Sequence, residues 1–287
     1  MSLPALVVGP RTFAWGERTY VMGILNATPD SFSGDGLLGA ADPVEAAVAG
    51  ALRMAEEGAD ILDVGGESTR PGHEPVPEAE ELARVVPVVA AVRAALPAMP
   101  ISVDTTKAAV VAAAVEAGAN LVNDVWGVAE DDAVARVAAA HEVPLVLMHN
   151  RAEARYAALV AEVIEDLERA VERAVAAGVP RRRLVVDPGF GFGKTADHNL
   201  ALLGDLAALS VLGLPILLGA SRKSTLGKIL DLPPGERVEA TIATTVLAVA
   251  AGVDVVRVHD VRSNVRAARV ADAVVRGWRP AGWEEQR

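Results

Sequence analysis

The chain has 287 residues, 52% of them hydrophobic and 23% charged, a balance that excludes a disordered polymer. Its formal net charge of −11 argues against a broad nucleic-acid or acidic-membrane surface, so an anionic ligand must meet a local cluster of Arg and Lys. The absence of Cys excludes disulfides, thiolate catalysis and Cys-ligated zinc, and suits a reducing cytoplasm.

In chain order, Leu6–Tyr20 reads as a hairpin, with turn signals at Gly9-Pro10 and Trp15-Gly16. Eight short apolar runs then recur. They are Val21–Asn26, Ile61–Gly66, Ile101–Asp104, Leu121–Asp124, Leu145–His149, Leu184–Asp187, Ile216–Gly219 and Val255–His259. A short, continuously apolar run is the pattern of a parallel strand covered on both faces. Ala-rich segments with helical spacing alternate with them: Val44–Glu57, Glu78–Leu96, Lys107–Ala117, Ala133–His141, Leu159–Ala177, Asn199–Leu209, Ala240–Ala251 and Val265–Arg276. Gly58, Gly118 and Gly252 each end a helix and lead into a strand, as expected of glycine at the left-handed C′ position.

Eight such units predict a (β/α)8 barrel of the TIM type, its floor plugged by the hairpin; an open doubly wound sheet is the alternative. No Gly-, Ser- or Pro-rich linker divides the chain, so one domain over 1–287 is expected, with 1–20 as the hairpin and 277–287 as a frayed tail. The most apolar stretch, Ala240–Val253, falls short of the ~20 residues that span a bilayer. Met1–Arg11 shows no secretory leader, and a soluble cytoplasmic protein is expected.

Every predicted strand ends on polar residues, and in a barrel those ends converge on one mouth. Asp63, Asp104, Asn123 and Asp187 supply acceptors, which suit a ligand rich in N–H donors. Arg70, Lys223, Arg257 and His259 supply cations, which suit phosphate or pyrophosphate. A donor-rich heterocycle carrying phosphate would satisfy both groups. The loop from Asn26 to Gly36, with Phe32, reads either as a solvated turn or as a lid. Asp187–Thr195 imitates a phosphate-binding loop but has Pro188 where the first glycine is required, so it is not read as a nucleotide cradle. His73 and His198 are expected at the surface.

Taken together, Gly23–Ser33, Asp63–Gly72, Ser102–Thr105, Asn123–Val125, Asp187–Lys194, Ser221–Lys223 and Arg257–Asp260 resemble the dihydropteroate synthases of the pterin-binding barrel family, from about Val21 to Val275. The resemblance implies condensation of 6-hydroxymethyl-7,8-dihydropterin pyrophosphate with p-aminobenzoate, with Mg2+ as cofactor. It implies a pterin held by Asp104, Asn123, Met148, Asp187 and Lys223. Asn26, Thr69, Arg70, Arg257 and His259 would then meet the pyrophosphate, with Asn26 also touching the metal. Phe32, Pro71, Phe192 and Ser224 would border the aminobenzoate pocket. Lys223, Arg257, Asp104 and Asp187 become the catalytic candidates, and a homodimer is implied, with helix Ala240–Ala251 either at its interface or simply buried. The segment Met148–Glu153 departs from the family in lacking Gly and Pro, and Trp126 is also unusual. A non-catalytic pterin-binding paralogue and a folate-dependent corrinoid methyltransferase barrel are the alternatives.

Overall fold

A computed structural model describes residues 3–27, 42–67, 76–127 and 132–283. Two short antiparallel strands, β1 (Leu6–Val8) and β2 (Arg11–Phe13), form the expected hairpin. Eight parallel strands come next: β3 (Tyr20–Asn26), β4 (Ile61–Gly65), β5 (Ile101–Asp104), β6 (Leu121–Asp124), β7 (Leu145–Met148), β8 (Leu184–Asp187), β9 (Leu217–Leu218) and β10 (Val255–Val258). Their order in the sheet is β8-β7-β6-β5-β4-β3-β10-β9, and a parallel bridge between Val186 and Ile216 joins the two ends. The barrel is therefore closed, with sequential strands as neighbours.

Around it lie α1 (Pro43–Glu56), α2 (Glu78–Ala95), α3 (Ala108–Glu116), α4 (Ala133–Ala140), α5 (Leu159–Ala176), α6 (Ala196–Gly204), α7 (Ser224–Leu230), α8 (Val238–Ala250) and α9 (Val261–Val275). Local chemistry sets several boundaries. Asp42 caps α1 by accepting from Val44 N at 2.8 Å, with Pro43 in the first turn. Thr195 and His198 form a reciprocal capping box on α6, so His198, half-buried at the surface, also caps the first turn. The predicted helix Asn199–Leu209 ends at Gly204 and resumes as a 3-10 segment, Leu206–Leu212. Helix α7 has no counterpart among the predicted helices, because seven residues containing Gly227 carry no apolar periodicity. Beyond α9 residues 277–283 turn back on the helix: Trp278 N donates to Asp272 O at 3.2 Å, and Arg279 donates to Ala273 O at 2.8 Å. Among the described residues, no helix is long and apolar enough to cross a membrane.

Side chains alternate across each strand, and this parity sorts the core into two clusters. Outward-facing Leu62, Val64, Ile101, Val103, Val122, Leu145, Leu184 and Val256 pack against the helices. Inward-facing Met22, Ile61, Leu121, Val146, Val185, Leu217 and Val255 fill the lower barrel, where Leu6, Val8, Phe13 and Trp15 of the hairpin cover them. Three of the ten aromatic residues meet in this plug, with Phe13 edge-on to Tyr20 at 4.7 Å and Trp15 edge-on to it at 5.6 Å. Each large side chain buried there contributes roughly 1.5–3 kcal/mol.

Candidate active site

One pleat above the plug, the inward positions change character. Asp63 on β4, Asp104 on β5, Asn123 on β6, Met148 on β7, Asp187 on β8 and Arg257 on β10 share the parity of the floor residues and so project into the mouth. The same parity turns two other polar strand ends outward. Asp124 accepts from Trp126 N at 2.9 Å, burial pushes its carboxyl up to about 6, and with Trp126 and Arg173 it borders a small cavity outside the barrel. His149, fully buried, turns toward α5, where its Nε2 lies 3.0 Å from Asp166 Oδ2. The strand ends are thus not all components of the mouth.

Arg257 organises one side of that mouth. Its Nε donates to Asp63 Oδ2 at 2.5 Å and its Nη2 to Asp104 Oδ2 at 2.5 Å, while Asn123 Nδ2 donates to the same Asp63 oxygen at 3.2 Å. Burial disfavours a charged guanidinium, but Asp63 and Asp104 outweigh it and raise the Arg257 pKa. Asp104 is pushed up, first by burial and then by the charge of Asp63, with Arg257 opposing. Acceptors and a cation thus stand side by side in the mouth. Asp63 is completely buried, and the donors on its Oδ2 are the protein's own Arg257 and Asn123. What remains for a ligand is Oδ1 of Asp63 and Oδ1 of Asp104, buried acceptors with no hydrogen-bond partner among the described residues.

Across the mouth, Asp187 Oδ1 accepts from Gly189 N at 2.7 Å. Burial raises the Asp187 carboxyl, against that hydrogen bond and the cation of Lys223. Burial likewise lowers the Lys223 ammonium, which Asp187 partly offsets. Lys223 lies with its Nζ 3.7 Å from the centre of the Phe192 ring, a cation–π pair. Its backbone continues from Arg222, held at φ +56° by the fork-shaped pair of Arg222 with Asp260 (3.1 and 2.7 Å). Ser224 begins α7 and is exposed. His259 is set by Ser221, whose Oγ lies 3.0 Å from its Nδ1 and accepts its backbone N–H at 3.2 Å. Asn26 ends β3, half-buried, and its side-chain amide makes no hydrogen bond to a described residue.

The loop after β8 is not a phosphate cradle. Lys194, where a phosphate-binding lysine would stand, folds back onto its own loop and His149. Its Nζ reaches His149 Nδ1 at 2.8 Å and the carbonyls of Gly189 and Phe192 at 3.2 Å each. Gly189 and Gly193 lie at φ +69° and +54°, and a β-carbon on either would overlap backbone of His149 or Arg151. Sequence reasoning misses this arrangement, although strand parity places His149 opposite in sense to Met148. Phe32, Thr69, Arg70 and Pro71 lie outside the described residues.

Residues 22–259 match the family described as pterin binding enzyme. The dihydropteroate synthase of Clostridium beijerinckii is 50% identical over 270 residues, covering 94% of this chain and 99% of its own. The chain belongs to the dihydropteroate synthase family. Within that family, the structure of the Xanthomonas albilineans enzyme with 4-aminobenzoic acid superposes at a TM-score of 0.88 and 47% identity, over 96% of this chain and 98% of the other. The same enzyme solved with 7,8-dihydropteroate gives 0.85 at 45% identity, over 94% and 98%.

Proposed function

We propose that this barrel condenses 6-hydroxymethyl-7,8-dihydropterin pyrophosphate with p-aminobenzoate, forming dihydropteroate and releasing pyrophosphate. The observation that carries the reading is the buried mouth itself: Asp104 and Asp187, Asn123 and Lys223 face one space, and Arg257 borders it. Carboxylates that burial leaves short of donors suit the amino and ring N–H groups of a pterin. Lys223 would donate to the ring's acceptors, with Phe192 and Ser224 beside it for the aminobenzoate. Met148, buried at the end of β7, would pack on the ring face.

In the reaction the methylene C–O bond breaks and its electron pair leaves with pyrophosphate. The arylamine nitrogen then forms the new C–N bond and gives up a proton. Positive charge develops on the pterin methylene and negative charge on the leaving group, so preorganised groups of both signs are needed. Asp104 and Asp187 answer the first, Arg257 and His259 the second.

The residues present fit a Mg2+ held chiefly by substrate. No group of three His, Asp or Glu side chains among the described residues forms a metal cage, but Asn26 offers an oxygen with no other hydrogen-bond partner there. Asn26 would ligate the ion beside the phosphate oxygens, and bound Mg2+ would neutralise leaving-group charge. A homodimer is inferred from Val246 and Leu247 on α8 and Val270 and Val274 on α9, exposed apolar side chains on two helices that pack together.

The deciding experiment follows pyrophosphate release from the pterin substrate and Mg2+, with and without p-aminobenzoate. Release that depends on p-aminobenzoate, with dihydropteroate formed, is expected. Pterin binding without release would overturn the reading in favour of a non-catalytic binding barrel.

A further inference from the structure

We propose that Lys194 is a positioning residue for the aminobenzoate side of the site: its ammonium joins the loop after β8 to His149 and so fixes the Phe192 ring on which Lys223 rests. The proposal rests on the reading above that Phe192 borders the aminobenzoate pocket.

Donor and acceptor counting supports it. His149 Nε2 faces Asp166 Oδ2 at 3.0 Å, so that nitrogen carries the hydrogen. Burial, with Lys194 beside it, lowers the His149 pKa to about 4, which keeps the ring neutral. Nδ1 is then a lone-pair acceptor pointing at Lys194. Burial lowers the Lys194 pKa to about 7, with Asp187 opposing, but with the two carbonyls of Gly189 and Phe192 the side chain has three acceptors at 2.8–3.2 Å, one for each N–H bond of its ammonium form. One of those carbonyls belongs to Phe192 itself.

The far end of the strut is firmly held. Asp166 also takes Arg151 Nε at 2.7 Å and pairs with Arg169. Tyr156, stacked under Arg151, donates its hydroxyl to Gly193 O at 2.8 Å. The segment after β7 therefore grips the loop after β8 at both of its ends, Gly189 and Gly193. Ion pairs supply the rigidity of this segment.

The near end reaches the chemistry. Phe192 N closes a turn onto Gly189 O at 3.1 Å, and its ring lies 3.7 Å from Lys223 Nζ. Gly191 N donates to Asn199 Oδ1 at 2.8 Å, and Asn199 donates to Thr225 Oγ1 at 2.9 Å on α7, directly after Lys223 and Ser224. Freeing Lys194 should therefore loosen Phe192 while leaving Asp104 and Asn123 untouched.

The test compares the full-length Lys194→Met, Phe192→Ala and double variants for kcat and for the KM of each substrate. Lys194→Met is expected to raise KM for p-aminobenzoate roughly tenfold or more, the scale of losing hydrogen bonds from a charged donor. KM for the pterin substrate should stay within about twofold, and the double variant should be no worse than Phe192→Ala alone. Additive effects, or equal rises in both KM values, would overturn the proposal. If Phe192→Ala raises the aminobenzoate KM and Lys194→Met does not, the strut is wrong and the pocket reading stands. If Phe192→Ala changes nothing, the pocket reading fails first. Should Lys194→Met not fold, His149→Gln, which leaves Lys194 in place, must show the same substrate contrast in weaker form, and an unchanged aminobenzoate KM there would overturn the proposal.

Discussion

The floor and the mouth of this barrel are built from the same strands, two residues apart, and differ in almost every physical respect. On β4 the inward positions are Ile61 and then Asp63; on β6, Leu121 and then Asn123; on β10, Val255 and then Arg257. The lower layer is apolar and sealed by the hairpin. The upper layer holds charges that are buried, mutually paired and incompletely satisfied, with acceptors left over on Asp63 and Asp104. Stability comes from burying carbon in one layer, and the second layer gives some of it up to keep polar groups poised. A mutation should therefore reveal its layer by whether it moves the unfolding free energy or the kinetics.

Phe13→Ala tests the floor most severely. Fully buried among Trp15 and Tyr20, its loss should cost about 3–5 kcal/mol in chemical denaturation. The folded fraction should keep its KM values. Changed KM values would show that the layers are coupled.

In the mouth, Lys223→Ala or Arg257→Ala should lower kcat/KM by about 10²–10³, the scale for one preorganised charge donor. The two should part company in denaturation, because Arg257→Ala also strands Asp63 and Asp104 in the interior and Lys223→Ala leaves no such pair. Asp63→Asn comes next. It keeps the shape but removes the charge that orients Arg257, and should cost roughly 10- to 100-fold in kcat/KM. An effect below twofold would reduce Asp63 to a packing residue.

The smallest expected effect is one of slope. The folded-state pKa of His149 is depressed from its usual value to about 4, so the neutral ring contributes stability that is present above about 6.5 and is lost as pH falls toward 4. Asp104 and Asp187, whose carboxyls burial raises, act with the opposite sign over the acidic range. The comparison that isolates His149 is wild type against His149→Gln in denaturation series between pH 7 and 5. The stability difference should shrink as pH falls, and a constant difference would contradict a buried neutral ring.

Much of the fold is legible in the residues alone. Strands such as Leu145–His149 announce themselves because a parallel strand covered on both faces has few polar interruptions, and the polar residues at the strand ends mark which end of the barrel carries the mouth. What sequence reading leaves unresolved is direction. Asn123 and Asp124 are adjacent and both acidic or amide, yet pleating sends one inward and the other to Trp126. Met148 and His149 divide in the same way. Lys194 is hidden for a different reason: its partners come from the residue just after β7 and from its own loop, and no local spacing relates position 149 to position 194. Asp63 is recognisable as an inward acceptor, but its donors are Arg257 and Asn123, contacts 194 and 60 residues away in the chain.

The closure of the barrel has a consequence for dynamics. Between β8 and β9 the ring is held by the Val186–Ile216 bridge, the thinnest stretch of pairing in the sheet, and Asp187 and Lys223 stand on its two banks. A ligand that touches both residues spans this seam like a stitch. Deuterium uptake by the amides of Ile216–Gly219 should therefore slow when the pterin substrate binds, even though none of those amides need touch it.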